Sequence, residues 1–332
     1  MKIIKIIFYI LLISLNNFTA SFGEDFNSWK ITFKEYALTQ GISKITLDKT
    51  ISKLKFLPNV IKYDRYQPEF YEDTNTYINK RTNQKKITNG KNLFIKNSSL
   101  IVDIEKKFDV EKELLLSLMG IETNFGKYLG KMDILSSLAT LSFDKRRSDF
   151  FTKELITILK LIDSGVVDSD VLYGSWAGAF GNFQFMPSTI KNYALDYNND
   201  DLIDLKSTKD SFASAANYLN AIGWKKNKPC FMPVKLNKNI PTKFLNSSAK
   251  KIHSQHKLSY FSKYIENYDD IILYKKLNSA IITPDIDIIK DANRFEPAYI
   301  IFDNYKVILK WNRSLRFALA VCTLMESFEN AL

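Results

Sequence analysis

The chain has 332 residues and a mass of 38.4 kDa, enough for two domains or for one with insertions. Hydrophobic residues make up 45% and charged residues 25%, which excludes wholesale disorder, collagen and a coiled coil as the main architecture. Forty-seven Lys and Arg against 36 Asp and Glu leave +11, so an anionic partner is favoured, and nucleic acid, anionic lipid and bacterial cell wall all qualify.

At the N-terminus, Lys2 and Lys5 precede an apolar run from Ile6 to Leu15, followed by the small-residue exit Thr19-Ala20-Ser21. This pattern predicts a secretory signal peptide over residues 1–20, because the apolar run falls short of the roughly 20 residues that span a bilayer. No Cys lies near the cut, so a lipoprotein anchor is not expected. The mature protein should be exported, soluble and without a stable membrane anchor.

Residues 21–105 read as an N-terminal helical region, with Trp29, Phe33, Tyr36 and Ala37 at helical spacing. A loop is expected at Gln67-Pro68-Glu69-Phe70-Tyr71, with helix resuming past Gly90. Asp109 is the expected N-cap of a helix running through Leu114, Leu115, Leu118, Met119 and Ile121, with Gly126 as terminator. Further helical patterns cover 148–163, 188–195 and 211–222, and a Gly-rich loop spans 174–187. From Lys225 to Lys263 there are ten Lys and no acidic residue. Runs such as Ile271–Tyr274 and Ala298–Phe302 follow, so 225–305 reads as a Lys-rich, β-containing subdomain. A closing segment, 306–332, carries a last helix at 312–330. The class is α+β, mostly α.

Cys230 and Cys322 are the only cysteines and either pair in an oxidising compartment or stay as buried thiols. His253 and His256 are the only histidines. A Ser-His-Asp triad or His-rich zinc site is therefore not expected, and the two read as surface polar residues.

Glu122 lies at the end of an otherwise apolar helix, directly after Gly120-Ile121. A carboxyl against apolar walls holds its proton more tightly, because desolvation disfavours the charged form. A general acid at neutral pH needs that property. The run Gly120-Ile121-Glu122-Thr123-Asn124-Phe125-Gly126-Lys127 resembles the catalytic motif of lysozyme-like lytic transglycosylases, specifically the lytic murein transglycosylase B family. Supporting segments follow in the family's order: Asp133–Phe143 leading into Arg146-Arg147, then Ser175–Ser188, then Asp196–Asp210, then Ala215–Leu219 with Gly223-Trp224. Tyr305 and Trp311–Ser314 match more loosely. The resemblance spans roughly residues 25–330 and is weakest between 230 and 300.

The resemblance implies a lysozyme-like catalytic core at 106–224 and cleavage of the β-1,4 bond between N-acetylmuramic acid and N-acetylglucosamine in peptidoglycan. The product is a 1,6-anhydromuramoyl end. One carboxyl suffices, Glu122 acting first as acid and then as base, with no catalytic cofactor. Asp133 and Asp144 are the nearest residues for a second acid, and both also suit helix capping or solvation. By motif position, Ser175 and Gln184 would hydrogen-bond the glycan, and Arg146 and Arg147 would meet substrate carboxylates. Tyr77, Tyr218, Tyr305 and Trp311 would face sugars. Trp311 stands where the family pattern has Tyr, and Phe183 where a small residue precedes the Gln.

Asp196, Asn198 and Asp200 fall at positions 1, 3 and 5 of an EF-hand-like loop, 196–210, which suits a structural Ca²⁺. Leu202 would offer its carbonyl, while Asp201 replaces the usual turn Gly and Ser207 the Glu of position 12. The resemblance implies that the loop closes later, with Asp210 as the last carboxylate. The expected partner is the glycan strand, not nucleic acid, and the expected state is a monomer in the periplasm. A hydrolase on the same fold and a non-catalytic glycan-binding protein are the alternatives.

Overall fold

A computed structural model describes residues 25–67, 71–169 and 172–332. The expected signal segment and residues 68–70 of the expected loop lie outside them. The chain opens with helices α1 (Phe26–Thr39), α2 (Lys44–Ile51), α3 (Pro58–Arg65), α4 (Thr74–Arg81), α5 (Gln84–Lys96) and α6 (Ser98–Phe108). Local chemistry sets their starts: the side chains of Asp25, Ser43, Asp73 and Asn83 each accept a first-turn N–H, and Pro58 opens α3. On α1, Trp29 stacks between Phe26 and Phe33, and Phe33 and Ala37 are buried. Helix resumes at Thr74, earlier than the sequence suggests.

Next come α7 (Lys112–Thr123), β1 (Met132–Asp133), α8 (Ile134–Phe143), α9 (Ser148–Asp163), β2 (Tyr173–Gly174), α10 (Pro187–Tyr193) and α11 (Thr208–Ala221). Asp109 does not cap α7. It ends α6 in the left-handed region, with φ +54°, a conformation that Asp tolerates because its short side chain bonds locally. Strands β1 and β2 pair antiparallel, and α8 packs along α9.

The C-terminal third holds β3 (Phe231–Val234), β4 (Leu245–Asn246), β5 (His256–Lys257), β6 (Asn278–Ile282), β7 (Ala298–Ile301), α12 (Asp303–Trp311) and α13 (Leu315–Glu329). The sheet runs β3-β7-β6, antiparallel, with β4 parallel and β5 antiparallel on the outer edge of β6. Side chains alternate along its central strands. Ala280, Ile282, Tyr299 and Ile301 join the large helical core, while Ile281, Ala298 and Ile300 face a smaller core with Phe244, Leu258 and Phe261. The sheet is thus buried on both faces and welded to the helices. The expected helix 312–330 is α13, which starts at Leu315 behind the Ser314 cap, and the separate helix α12 precedes it.

Helix α13 is buried nearly all round and packs on α7 and α4. Two links fix it to the rest. Arg316, 2% exposed, donates to Asp285 at 2.7 Å, and Asp285 also accepts the backbone N–H and hydroxyl of Thr74 at the start of α4. Cys230 and Cys322 form a disulfide with a Cα separation of 6.2 Å, which joins the start of the sheet to the middle of α13. The paired alternative therefore holds. His253 is exposed and His256 stacks on Tyr260 at 4.0 Å.

A disulfide closing a loop of 92 residues restricts the unfolded chain strongly. The double variant Cys230→Ser/Cys322→Ser is expected to lose about 4 kcal/mol in urea unfolding. A loss below about 1 kcal/mol would mean that packing alone holds the sheet to α13.

Candidate active site

Helix α7 is buried on every side up to Gly120, with Leu114, Leu115, Leu116, Leu118 and Met119 all at or below 2% exposure. Such a helix is a core element rather than a surface one. It stops because Asn124, Phe125 and Gly126 take φ of +50°, +60° and +78° in succession. The Asn124 N–H returns to the Gly120 carbonyl and the Phe125 N–H to that of Met119. Glu122, in the last turn, is half-buried. It emerges from the core into a cavity of about 320 Å³, walled by α4, α5 and the loop after α7, and lined by Lys80, Asn83, Lys85, Lys86, Asn124 and Tyr128 among others.

The other end of the chain supplies a partner for this carboxyl. The Trp311 indole, the last residue of α12, donates its Nε1–H to Glu122 Oε1 at 3.0 Å. Tyr218 lies against Trp311 at 5.1 Å between ring centres, and Tyr193 stacks on Tyr218 at 4.5 Å. The Tyr218 hydroxyl points to the Lys310 carbonyl at 3.4 Å. Burial, with Tyr193 adding, raises its pKa above the usual phenol range. Trp311 and Phe183, the two departures from the family pattern, are neighbours, their rings 6.3 Å apart and edge to face. The larger Phe183 fills space beneath the larger Trp311.

The loop after β2 is tied to the end of α7. The Thr123 hydroxyl donates to the Asn182 carbonyl at 2.7 Å and accepts the Gly126 N–H. Within the loop, Ser175 closes a turn by accepting the Ala179 N–H on its hydroxyl. Gln184 holds φ +49° and donates its side-chain amide to the carbonyls of Gly181 and Leu129. Both side chains are half-buried.

Other expected residues lie elsewhere. Tyr305 is fully buried and donates its hydroxyl to the Leu315 carbonyl at 2.6 Å. It pins the α12–α13 corner, and burial raises its pKa well above that of a free phenol. Tyr77 is 3% exposed, and the Arg81 guanidinium covers its ring at 3.4 Å. The expectation that these two face sugars is corrected: aromatic rings at helical spacing here serve the core. Arg146 and Arg147 both bind Asp64, a carboxylate 1% exposed at the end of α3. Arg146 reaches Asp64 through two nitrogens and also takes its carbonyl at 2.7 Å. An internal anion therefore explains the pair, although each side chain remains over 40% exposed. Asp133 caps α8 through the Ser136 N–H, and Asp144 pairs with Arg65 at 2.8 Å. Asp133 thus caps as expected, while Asp144, its side chain 13% exposed, is held in an ion pair rather than solvated.

In the 196–210 loop, Asn199 and Asp201 take φ of +56° and +65°, so Asp201 does make the turn usually given to Gly. Asp196 accepts the N–H groups of Asp200 and Asp201, and the Asn198 amide donates to Asp200. Leu202 is exposed, and its N–H reaches Asp200. Asp210, 1% exposed, accepts the N–H groups of Tyr197 and Asp204. Among the described residues no three acidic, His or Cys side chains converge as a metal site. The oxygen donors instead hold the loop's own amides. Asn182 links this loop to Glu122's helix, since its amide donates to the Lys206 carbonyl and the Ser211 hydroxyl while its carbonyl takes Thr123.

A model of the transglycosylase SLT domain matches residues 25–326. The chain belongs to that family. It is 43% identical over 120 residues to the membrane-bound lytic murein transglycosylase B of Escherichia coli K12, a match covering 36% of this chain and 33% of that protein. The match thus spans about a third of the length of that relative. Among solved structures, SltB3 from Pseudomonas aeruginosa in complex with NAG-anhNAM-pentapeptide superposes with a TM-score of 0.78 and 27% identity, over 92% of this chain and 80% of that one. Escherichia coli Slt35 in complex with calcium gives 0.74 and 25%, over 91% and 93%. The lysozyme-like fold expected from the sequence is therefore the fold observed.

Lys86 and Tyr128, which share the cavity with Glu122, escaped the sequence reading. Tyr128 follows the motif directly, but Lys86 is one of many lysines in a polar stretch. Asp64→Ala, which leaves two guanidiniums without their shared anion, is expected to cost about 2 kcal/mol in chemical denaturation. Arg146→Ala should cost less, because Arg147 still reaches the carboxylate.

Proposed function

We propose that the chain is an exported lytic transglycosylase that cleaves the β-1,4 MurNAc–GlcNAc bond of peptidoglycan, with Glu122 as its single acid and base. The observation that carries this reading is the placement of Glu122. It lies at the mouth of a buried helix, opens on a cavity of glycan-binding size and is held by an indole N–H. The SltB3 structures with NAG-anhNAM-pentapeptide and NAG-NAM-pentapeptide support the substrate class.

In the proposed cycle the Glu122 carboxylic acid gives its proton to the glycosidic oxygen as the bond from that oxygen to C1 breaks. The substrate's 2-acetamido oxygen stabilises the positive charge at C1, the substrate-assisted exception to the two-carboxylate rule. The Glu122 carboxylate then removes the proton of the C6 hydroxyl as O6 bonds to C1, which closes the 1,6-anhydro ring and restores the acid. No water is consumed. Trp311 holds Glu122 Oε1 in place between the two transfers. Ser175 and Gln184 border the glycan cleft, Tyr218 and Trp311 present the sugar platform, and Arg146 and Arg147 keep enough exposed surface to meet a carboxylate.

The setting proposed is the periplasm. Among the described residues no helix is long and apolar enough to cross a membrane.

The 196–210 loop is proposed to bind Ca²⁺ as a structural ion, a reading that Slt35 in complex with calcium supports. Its oxygen chemistry fits a hard cation: Asp196, Asn198, Asp200 and Asp210 would ligate through side chains and Leu202 through its carbonyl. When bound, the ion neutralises this acidic loop. Millimolar Ca²⁺ is expected to raise Tm, by the equivalent of about 2.7 kcal/mol at 100-fold over Kd, and Asp200→Ala should lose the increment. An equal Tm with calcium and with chelator would reject the site.

Purified peptidoglycan treated with the mature protein is expected to release products with anhydro ends, each lighter by one water than the hydrolytic product, in mass spectra. Glu122→Gln should lower the rate by about 10³-fold or more. Reducing ends would keep the fold and make the protein a hydrolase, and no product from either protein would leave a glycan-binding role.

A further inference from the structure

Lys86 sits on α5 and points inward. It is half-buried, and its Nζ donates to the Gly120 carbonyl at 2.5 Å. That carbonyl lies two residues before Glu122, in the turn where α7 runs out of intrahelical donors, and already accepts the Asn124 N–H. Lys86 also lines the cavity into which Glu122 opens. One helical turn further along α5, Gly90 lets two rings approach, Phe328 of α13 and Phe125. A Cβ there would come within 2.3 Å of the first and 2.9 Å of the second, and one on Gly120 within 2.8 Å of Phe125. The face of α5 that carries Lys86 and Gly90 is therefore moulded to the end of the helix that bears the acid.

We propose that Lys86 is a positioning residue for Glu122: its ammonium fastens the last turn of α7 and supplies the positive charge that sets the pH range over which Glu122 stays protonated. The inference rests on the reading of Glu122 as the acid. The C-terminal end of a helix is the negative end of its dipole, and Glu122 adds a full negative charge there each time it gives up its proton. A half-buried cation bonded to the carbonyl two residues before Glu122 offsets both. It makes the carboxylate accessible during the cycle and keeps the proton from being held too tightly to transfer.

The other charged groups facing this corner are accounted for. From α4 come Lys80 and Arg81, both paired with Glu72. From α5 comes Lys85, exposed at the rim, and from the loop after α7 comes Tyr128, exposed. On α12, Lys310 is turned to the Ile222 carbonyl. On α13, Glu329 belongs to the far end of α7, where it feels Glu113, Glu111 and Lys112, and Glu326, one turn before it, is pushed up to about 6 by burial and by Glu329. Lys86 is the ammonium that bonds α7 itself. Burial, with Arg81 adding, lowers its pKa from the ordinary lysine value.

The test compares Lys86→Gln, Lys86→Met and Lys86→Arg in the full mature chain, with kcat/KM on peptidoglycan measured across pH and Tm measured alongside. Gln keeps a donor without the charge, Met keeps neither and Arg keeps both. The alkaline limb, where an essential acid loses its proton, is expected to move up by about one pH unit in Gln and Met and to return in Arg. Turnover in the neutral variants should fall about tenfold or more. An unmoved limb, with or without a lower Tm, overturns the proposal and leaves Lys86 a structural clamp. Full turnover by Glu122→Gln would instead overturn the reading on which it rests.

Discussion

One hydrogen bond spans 189 residues and ties the end of α7 to the end of α12 at the candidate site: the Trp311 indole N–H on the Glu122 carboxylate. Neither partner can be placed locally. Glu122 is aimed by α7, a helix with too little polar surface to stand alone, and α7 is buried only when α13 lies along it. Trp311 ends α12, and the corner between α12 and α13 is held by the Tyr305 hydroxyl on the Leu315 carbonyl and by the Ser314 cap. The site therefore exists only after the last thirty residues have closed over the first hundred. The Thr74–Asp285–Arg316 knot and the 230–322 disulfide secure that closure from two other directions. Removing one member of a buried charged pair strands its partner, so the knot fixes α13 as well as attaching it.

Around this bond the loops are coupled in series. Thr123 joins the end of α7 to Asn182, and Asn182 joins the loop after β2 to Lys206 within the acidic loop and to Ser211 just past it. A change in the 196–210 loop thus reaches the end of α7 through two hydrogen bonds in series, Lys206 to Asn182 and Asn182 to Thr123. That route gives a structural cation a physical means of influencing the site without touching substrate.

Much of this was legible in the sequence, and the exceptions have identifiable causes. The apolar run of α7, the amphipathic period of α9 and the residues flanking Glu122 announce themselves locally, as does the β-containing subdomain. Helix α4 was hidden because TNTYINKR buries only Thr74 and Tyr77 and depends on the Asp73 cap. Helix α8 was hidden for the opposite reason: from Ile134 to Ser142 it is buried all round and shows no period. Tyr77 and Tyr305 misled because spacing cannot tell a ring in the core from a ring in a cleft. The internal ion pairs of Arg146 and Arg147 went unread because their anion, Asp64, lies 82 residues upstream of Arg146. The disulfide stayed open because pairing across 92 residues is a fact of the closed fold.

The two departures from the family pattern illustrate how such distant facts combine. Taken singly, Trp311 in place of Tyr and Phe183 in place of a small residue each look like damage to the cleft. In the fold they are one feature. Phe183 is 2% exposed and wedged edge-on between Phe212 and Trp311, and Trp311 rests on Phe185 and Tyr218 as well. A ring added beneath the indole limits its tilt, and an indole held against tilt keeps its N–H directed at Glu122. Edge-to-face aromatic contacts favour such fixed angles. The volume at 183 thus acts on the Glu122 carboxyl through the ring it supports.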